Sequence, residues 1–211
     1  TTQRVSTLLS VRMAARLQTD LDTTENLAHA FISERSADAD LFRVDAARYL
    51  DRNEHFAGII TAPNFELDRV FLRSSEQVTG NAVLRGNGTA TLAEAIRAYR
   101  DIEKPVVLTS DRSRAVVMLM PVSNPGDADG KWGAIAVVID KLYLFDSAGI
   151  SLLPRKPDAK PMIDLSWLKV AIRDVTRPDN ATFFGSSLNE PLSHMIDVAD
   201  GQWELQAVPK A

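Results

Sequence analysis

Apolar positions recur with helical spacing over the first 34 residues, a stretch with no glycine or proline. The pattern predicts one helix over residues 1–34, about 50 Å long at 1.5 Å per residue. Its apolar stripe has two interpretations. Either it covers the chain's own core, or the first half projects as a stalk and packs against a second copy. The second interpretation assigns the dimer contact to Ala14, Leu17, Leu21 and Ala28.

Shorter periodic segments follow this helix and predict a mixed helix and strand region. A Thr91–Glu94 capping box marks the start of one of its helices. A polar turn at 124–130 between two apolar runs indicates an antiparallel hairpin. The predicted elements are a helix over 40–52, strands over 56–61 and 67–73, a helix over 91–103, and strands over 106–109, 114–122 and 132–139.

The last third of the chain is predicted to be mostly strand. A short helix is predicted over 141–149, followed by a proline-rich loop over 154–161. Residues 168–175 alternate apolar and polar side chains, and Phe183-Phe184 is a further short strand candidate. Asp200-Gly201 separates two alternating runs, 195–198 and 203–207, which predicts a second hairpin.

Composition and charge narrow the function. The 211 residues carry 28 acidic and 24 basic side chains, a formal charge of −4, which argues against nucleic-acid binding. The absence of cysteine excludes disulfides and thiolate metal sites. No uncharged run is long enough to span a bilayer. The chain starts at Thr1, already inside helix-forming sequence, which favours a piece of a longer protein.

Motifs for chemistry are largely missing. His29, His55 and His194 have no metal-ligand partner at helical or hairpin spacing, so we interpret them as structural polar residues and predict no metal and no cofactor. No combination of nucleophile, base and oxyanion site is apparent, so we predict no catalytic residues and no enzyme activity for this domain.

A binding role remains, with a pocket in the central α+β region. Its predicted lining mixes apolar and polar side chains, which suits a small ligand with one polar group and suits an ordinary core equally well. The predicted pocket residues are Ile60, Phe71, Arg73, Tyr99, Thr109, Met118 and Met120.

The order of these segments resembles a known family. The most specific part runs from Pro105-Val-Val through Trp132-Gly-Ala-Ile-Ala-Val-Val-Ile-Asp140 to Ala148-Gly149. The end, Trp203-Glu-Leu-Gln-Ala-Val-Pro209, resembles a strand that the family places shortly before a transmembrane helix. The chain is similar to the CHASE domains of bacterial membrane receptors, which belong with the PAS-like (Cache-like, PDC) extracytoplasmic sensors.

The resemblance implies an α+β fold with three parts. These are a long N-terminal helix (1–39), a membrane-distal PAS-like antiparallel sheet unit that senses ligand (40–150), and a smaller membrane-proximal PAS-like β unit (151–211). The chain departs from the family's pattern at Gly80-Asn81 and at Ser110–Arg114, near the expected pocket. The resemblance therefore does not imply which ligand this chain binds.

The resemblance also implies a location and a role. The domain is expected in the periplasm, between two transmembrane helices that lie outside this chain, with a small-molecule ligand and a possible homodimer through the first helix. The implied output is a cytoplasmic diguanylate cyclase (GGDEF) module or, as the alternative, a histidine kinase controlled by dimerisation or by a protein partner.

Overall fold

The computed structural model describes residues 1–34, 39–73, 89–109, 114–123, 130–150, 165–176 and 181–210. Two antiparallel sheets and a long N-terminal helix make up most of this part of the chain, so the predicted α+β class is confirmed. The helices are α1 Thr2–Glu34, α2 Ala39–Arg52, α3 Thr89–Ala98 and α4 Lys141–Ser147.

Sheet A has five strands in the order β2-β1-β5-β4-β3. The predicted hairpins are present, since β1 pairs with β2 and β4 pairs with β5, each pair antiparallel. The central strand β5 pairs with both β1 and β4, which joins the two hairpins into one sheet. The strands are β1 Phe56–Pro63, β2 Arg69–Leu72, β3 Val106–Leu108, β4 Ala115–Ser123 and β5 Lys131–Asp140.

Both faces of sheet A are covered, which explains why β1, β4 and β5 are nearly continuous apolar runs. On one face, Ile59 and Met118 share a core with α1 and α2. On the other face, Ile60 and Leu119 share a second core with Leu92 of α3. We call these the α1 face and the α3 face.

Sheet B has four antiparallel strands in the order β7-β6-β9-β8. The Asp200-Gly201 turn links β8 to β9, as the alternation on either side predicted. Trp203, 1% exposed, packs its ring against Phe183 on the inner face of this sheet. The strands are β6 Leu168–Asp174, β7 Thr182–Phe184, β8 Leu192–Val198 and β9 Gly201–Pro209.

Helix α1 lies against both sheets. It contacts β4 and β5 of sheet A and β8 and β9 of sheet B, and its first half is buried at Ser6, Leu9 and Met13. The expectation that this half projects as a stalk is therefore corrected. The small Ser6 and Ser10 are buried in this half, and Ser6 Oγ lies 2.8 Å from His194 Nε2 of β8 in sheet B.

The apolar core on the α1 face extends from sheet A to sheet B. It contains Met118 and Val137 of sheet A, Ile172 and Leu205 of sheet B, and the buried side of α1. Sheet A lies within residues 40–150 and sheet B within 151–211. The division of the chain into separate units at those boundaries stays a prediction.

Some element ends differ from the sequence expectation. Helix α3 ends at Ala98 rather than near residue 103, because the chain continues as tight turns in which Tyr99 N–H donates to Ile96 and Ile102 N–H donates to Tyr99. Strand β8 begins at Leu192, three residues earlier than predicted. The predicted loops at 80–88 and 154–161 lie outside the described residues.

Candidate functional site

Sheet A places the predicted pocket residues on opposite faces. Ile60 and Tyr99 belong to the core on the α3 face. Phe71, Met118 and Met120 belong to the core on the α1 face. Since the sheet itself separates these two groups, a cavity on one face contacts one group at most. Contact of any of them with a ligand stays a prediction.

On the α3 face, the half-buried Tyr99 follows the end of α3. This helix is tied to the turn after β1 by Arg97, whose Nη2 lies 2.9 Å from Glu66 Oε2 and whose Nε donates to the same carboxylate. The hydrogen bond from Arg97 lowers the pKa of Glu66 below its usual range. This contact helps to position α3, and with it Tyr99, over the sheet.

Arg73 makes its polar contacts with backbone carbonyls. Its Nη2 donates to the carbonyls of Leu50 and Asn53 at the end of α2, and lies 3.3 Å from the Phe56 carbonyl. A buried cation there complements the negative end of the helix dipole. Its Nε–H is buried without a hydrogen-bond partner. The arrangement makes Arg73 a C-terminal cap of α2.

Thr109 lies where the two sheets meet. Its hydroxyl donates to Asp174 Oδ2 at 2.7 Å, and both side chains are buried. Asp174 is the last residue of β6 in sheet B, whereas Thr109 directly follows β3 in sheet A. This hydrogen bond therefore connects the sheets directly.

A second polar contact joins the sheets through α4. The buried Lys141 Nζ donates to the Phe183 carbonyl of β7 at 3.0 Å. Asp140 caps the same helix by accepting from Leu142 N–H, and its carboxylate lies 2.9 Å from Arg114 Nε. Sequence reasoning did not single out Lys141. The sequence feature that could have indicated it is the position of this lysine directly after β5, a nearly continuous apolar strand.

A buried ionic cluster connects α1 to the start of β1. Asp20 is fully buried in α1, and its Oδ1 lies 2.7 Å from His55 Nε2 and 2.9 Å from Arg16 Nη2. Arg16 Nη2 also lies 2.9 Å from His55 Nδ1 and 2.5 Å from His55 Nε2. Sequence reasoning treated His55 as structural and did not single out Asp20. The available signal was an Arg16–Asp20 pair at i,i+4 spacing within the buried stripe.

The predicted dimer stripe is occupied by contacts within the chain. Leu17, Leu21 and Ala28 are buried in the shared core, and Ala14 packs against it half-buried. These side chains face the sheets because the sheets supply the apolar surface that the stripe requires. The assignment of a dimer contact to them is corrected accordingly, and a second copy would have to contact other parts of α1.

The described residues hold no group of three His, Cys, Asp or Glu side chains arranged to bind a metal ion. An open cleft of about 460 Å³ lies at one end of sheet B, beside the β8–β9 turn. It contains none of the seven predicted pocket residues. It is lined by Val175, Thr176, Asp197, Ala199, Asp200, Gly201 and Gln202.

Comparison with solved structures identifies the fold. An extracellular ligand-binding receptor from Desulfohalobium retbaense matches 94% of this chain with a TM-score of 0.57 and 12% identity, and the chain spans 39% of that protein's length. A domain of a sensory box/GGDEF family protein from Vibrio parahaemolyticus matches 99% of this chain and 96% of its own, with a TM-score of 0.55 and 10% identity.

The chain has the fold of bacterial extracellular sensor domains. A further match is the extracellular domain of the histidine kinase vpHK1S-Z8, with a TM-score of 0.54 and 10% identity over 99% of this chain and 91% of the other. The resemblance drawn from the sequence is thus confirmed at the level of the fold. No protein-family model and no curated protein sequence matches the chain.

Within the described part of the chain, no helix combines the length and the apolar character needed to cross a membrane.

Proposed function

We propose that this chain is the periplasmic sensory domain of a bacterial inner-membrane receptor. In this role it binds a small molecule and transmits the signal to a cytoplasmic output module, without catalysing a reaction or holding a cofactor itself. The observation that carries the proposal is α1, one continuous helix packed on both sheets. A helix in contact with both sheets responds to a change in either.

The fold supports this role, because an extracellular ligand-binding receptor has a similar structure. The most accessible candidate contacts for a ligand are the half-buried rings, Tyr99 on the α3 face and Phe71 on the α1 face. We favour the α3 face, since two helices, α1 and α2, pack on the other face, whereas the core on this face includes the single described helix α3. The likeness to a domain of a GGDEF family protein supports diguanylate cyclase as the output.

A thermal-shift screen of the purified chain against small metabolites tests the proposal, followed by calorimetric titration of any compound that raises Tm. Tyr99→Ala is expected to abolish binding of such a compound. Tyr49→Ala, which removes a half-buried ring from α2 on the α1 face, is the matched control and should bind normally. Equal binding by both variants would argue against the α3 face, and the absence of any binding compound would argue against a small-molecule sensor.

A second candidate function is a histidine-kinase sensor domain that acts through dimerisation or a protein partner. The likeness to a kinase extracellular domain supports it, as do Leu8 and Val11, large apolar side chains that α1 exposes by 42% and 59%. Sedimentation of the chain and of a Val11→Asp variant separates the two functions. A dimer that the variant abolishes favours the second candidate, and a monomer at all concentrations counts against it.

A further inference from the structure

Helix α1 rests on the sheets mainly through apolar side chains. Leu9, Met13, Leu17 and Leu27 are all buried in the shared core. Apolar burial is non-directional and roughly proportional to area. Packing of this kind holds the helix on the sheets but discriminates weakly between neighbouring axial and rotational settings.

The Arg16–Asp20–His55 cluster adds direction at one point. Asp20 is a charged residue with no exposed surface in the middle of the helix, and His55 is 5% exposed. His55 Nε2 lies 2.7 Å from Asp20 Oδ1, and Arg16 Nη2 lies 2.5 Å from His55 Nε2 and 2.9 Å from His55 Nδ1, so both α1 side chains contact the same imidazole edge. A small shift of α1 breaks these bonds and leaves a buried carboxylate short of partners, which is costly.

The cluster is also tied to the sheet. The carbonyl of His55 accepts a hydrogen bond from the Asp140 N–H at 2.9 Å, where β5 ends and α4 begins. The Asp140 carboxylate in turn caps α4 and contacts Arg114, the residue before β4. Directional contacts therefore run from α1 through His55 to Asp140, which lies at the end of β5, caps α4 and contacts the residue before β4.

A second polar contact lies nearer the N-terminus of α1 and involves sheet B. Ser6 Oγ lies 2.8 Å from His194 Nε2 on β8. Fourteen residues separate Ser6 from Asp20, or about 21 Å of helix. Each sheet thus makes a side-chain hydrogen bond with α1 through a histidine, but the contact on sheet A is the one that contains a buried charge. Buried ionic groups are best attested in setting register rather than adding stability.

We infer that Asp20 and His55, supported by Arg16, form a lock that sets the axial and rotational position of α1 on sheet A. These are positioning residues. The lock's role as the point at which a change in sheet A is passed to α1 rests on the proposed function. Its role in setting the position of the helix does not depend on the proposed function.

Distance measurements between spin labels test the lock directly. The chain has no cysteine, so labels attach only where Asp22→Cys on α1 and Lys131→Cys on sheet A introduce one, both at exposed positions. In this background, His55→Leu removes the polar contacts of the ring with Asp20 and Arg16. The Asp20→Leu/His55→Leu double variant also removes the buried carboxylate. Apolar replacements of this kind often preserve stability, so the double variant still tests the lock if the single variant does not fold.

Both lock-breaking variants are expected to broaden the label distance distribution and to shift its mean by at least about 1.5 Å, the rise of one helical residue. His55→Gln, whose amide retains a donor for Asp20, should keep the narrow distribution. His29→Leu, which alters the exposed histidine of α1, is the matched control and should leave it unchanged.

A folded double variant with the wild-type distribution would overturn the lock, as would broadening of equal size in the His29→Leu control. Neither a ligand nor an output module takes part in the measurement. Its result is therefore separate from the result of the ligand screen.

Discussion

Replacement of Arg73 by alanine tests whether this side chain acts as a helix cap. The change removes the hydrogen bonds from its guanidinium to the carbonyls of Leu50, Asn53 and Phe56. Two of these carbonyls keep a backbone donor, since Leu50 also accepts from Asn53 N–H and Asn53 accepts from Phe56 N–H. The loss is therefore that of charge-assisted bonds rather than of three bare acceptors.

A hydrogen bond to a charged group contributes about 1.5–3 kcal/mol, and a cation at a helix C-terminus adds about 0.3–2 kcal/mol. The buried Nε–H that has no partner offsets part of this, because its removal relieves a desolvation cost of about 1–3 kcal/mol. Counting one charge-assisted bond in full, because two of the three carbonyls keep a backbone donor, we expect Arg73→Ala to lower the free energy of unfolding by about 2 kcal/mol.

Urea denaturation followed by circular dichroism measures the change. Arg69→Ala is the matched control, because Arg69 is an exposed arginine on β2, the strand that Arg73 directly follows, and its contact with Asp68 lies at the surface. It should change the free energy of unfolding by less than about 0.5 kcal/mol. A loss for Arg73→Ala no larger than that of the control would refute the cap. Loss of ligand binding at unchanged stability would instead favour a ligand contact.

Three further predictions concern other parts of the chain. Gly133→Ala should lower the free energy of unfolding by about 2–4 kcal/mol in urea, since φ is +143° and an added Cβ would lie 2.2 Å from a backbone carbonyl oxygen of β1; a change below about 0.5 kcal/mol would contradict the close approach. Thr109→Val should cost about 1–3 kcal/mol because the buried Asp174 loses a donor, whereas Thr109→Ser should retain the hydroxyl and most of the stability; equal losses for the two variants would argue against the hydrogen bond. The lowered pKa of Glu66 beside Arg97 means that their contact stabilises the fold fully above about pH 4.3, the pKa of a free glutamate, and that this contribution is lost as the pH falls through the lowered pKa. The Tm of Glu66→Gln should therefore lie below that of the wild type at neutral pH and converge with it in acid. A difference in Tm that stays constant with pH would contradict the contact.

The elements of this fold could largely be predicted from the sequence because they depend on neighbouring residues. The absence of glycine and proline over residues 1–34 and the helical spacing of apolar side chains predicted α1. Continuous apolar runs at β1, β4 and β5 and the turn between β8 and β9 predicted strands and hairpins in the right places. Each of these patterns repeats within a few residues, so its structural preference is local.

The candidate site was predicted less well, because the contacts that join its elements link residues far apart in the chain. Asp20 and His55 are 35 residues apart, and Thr109 and Asp174 are 65 apart. Arg73 carried the signal of a polar residue beside apolar strands, which does not distinguish a ligand contact from a helix cap. The two faces of sheet A also depend on strand order, which alternation along one strand does not specify.

What the sequence determined by itself was the set of helices, strands and hairpins, together with the apolar stripe of α1. The tertiary structure alone decided what that stripe covers. A stripe of Leu17, Leu21 and Ala28 is equally suited to a partner helix or to the chain's own sheets, because apolar burial rewards area and not the identity of the surface. Sheets A and B offered that surface within the same chain, and the buried Asp20 found its donor at the start of β1.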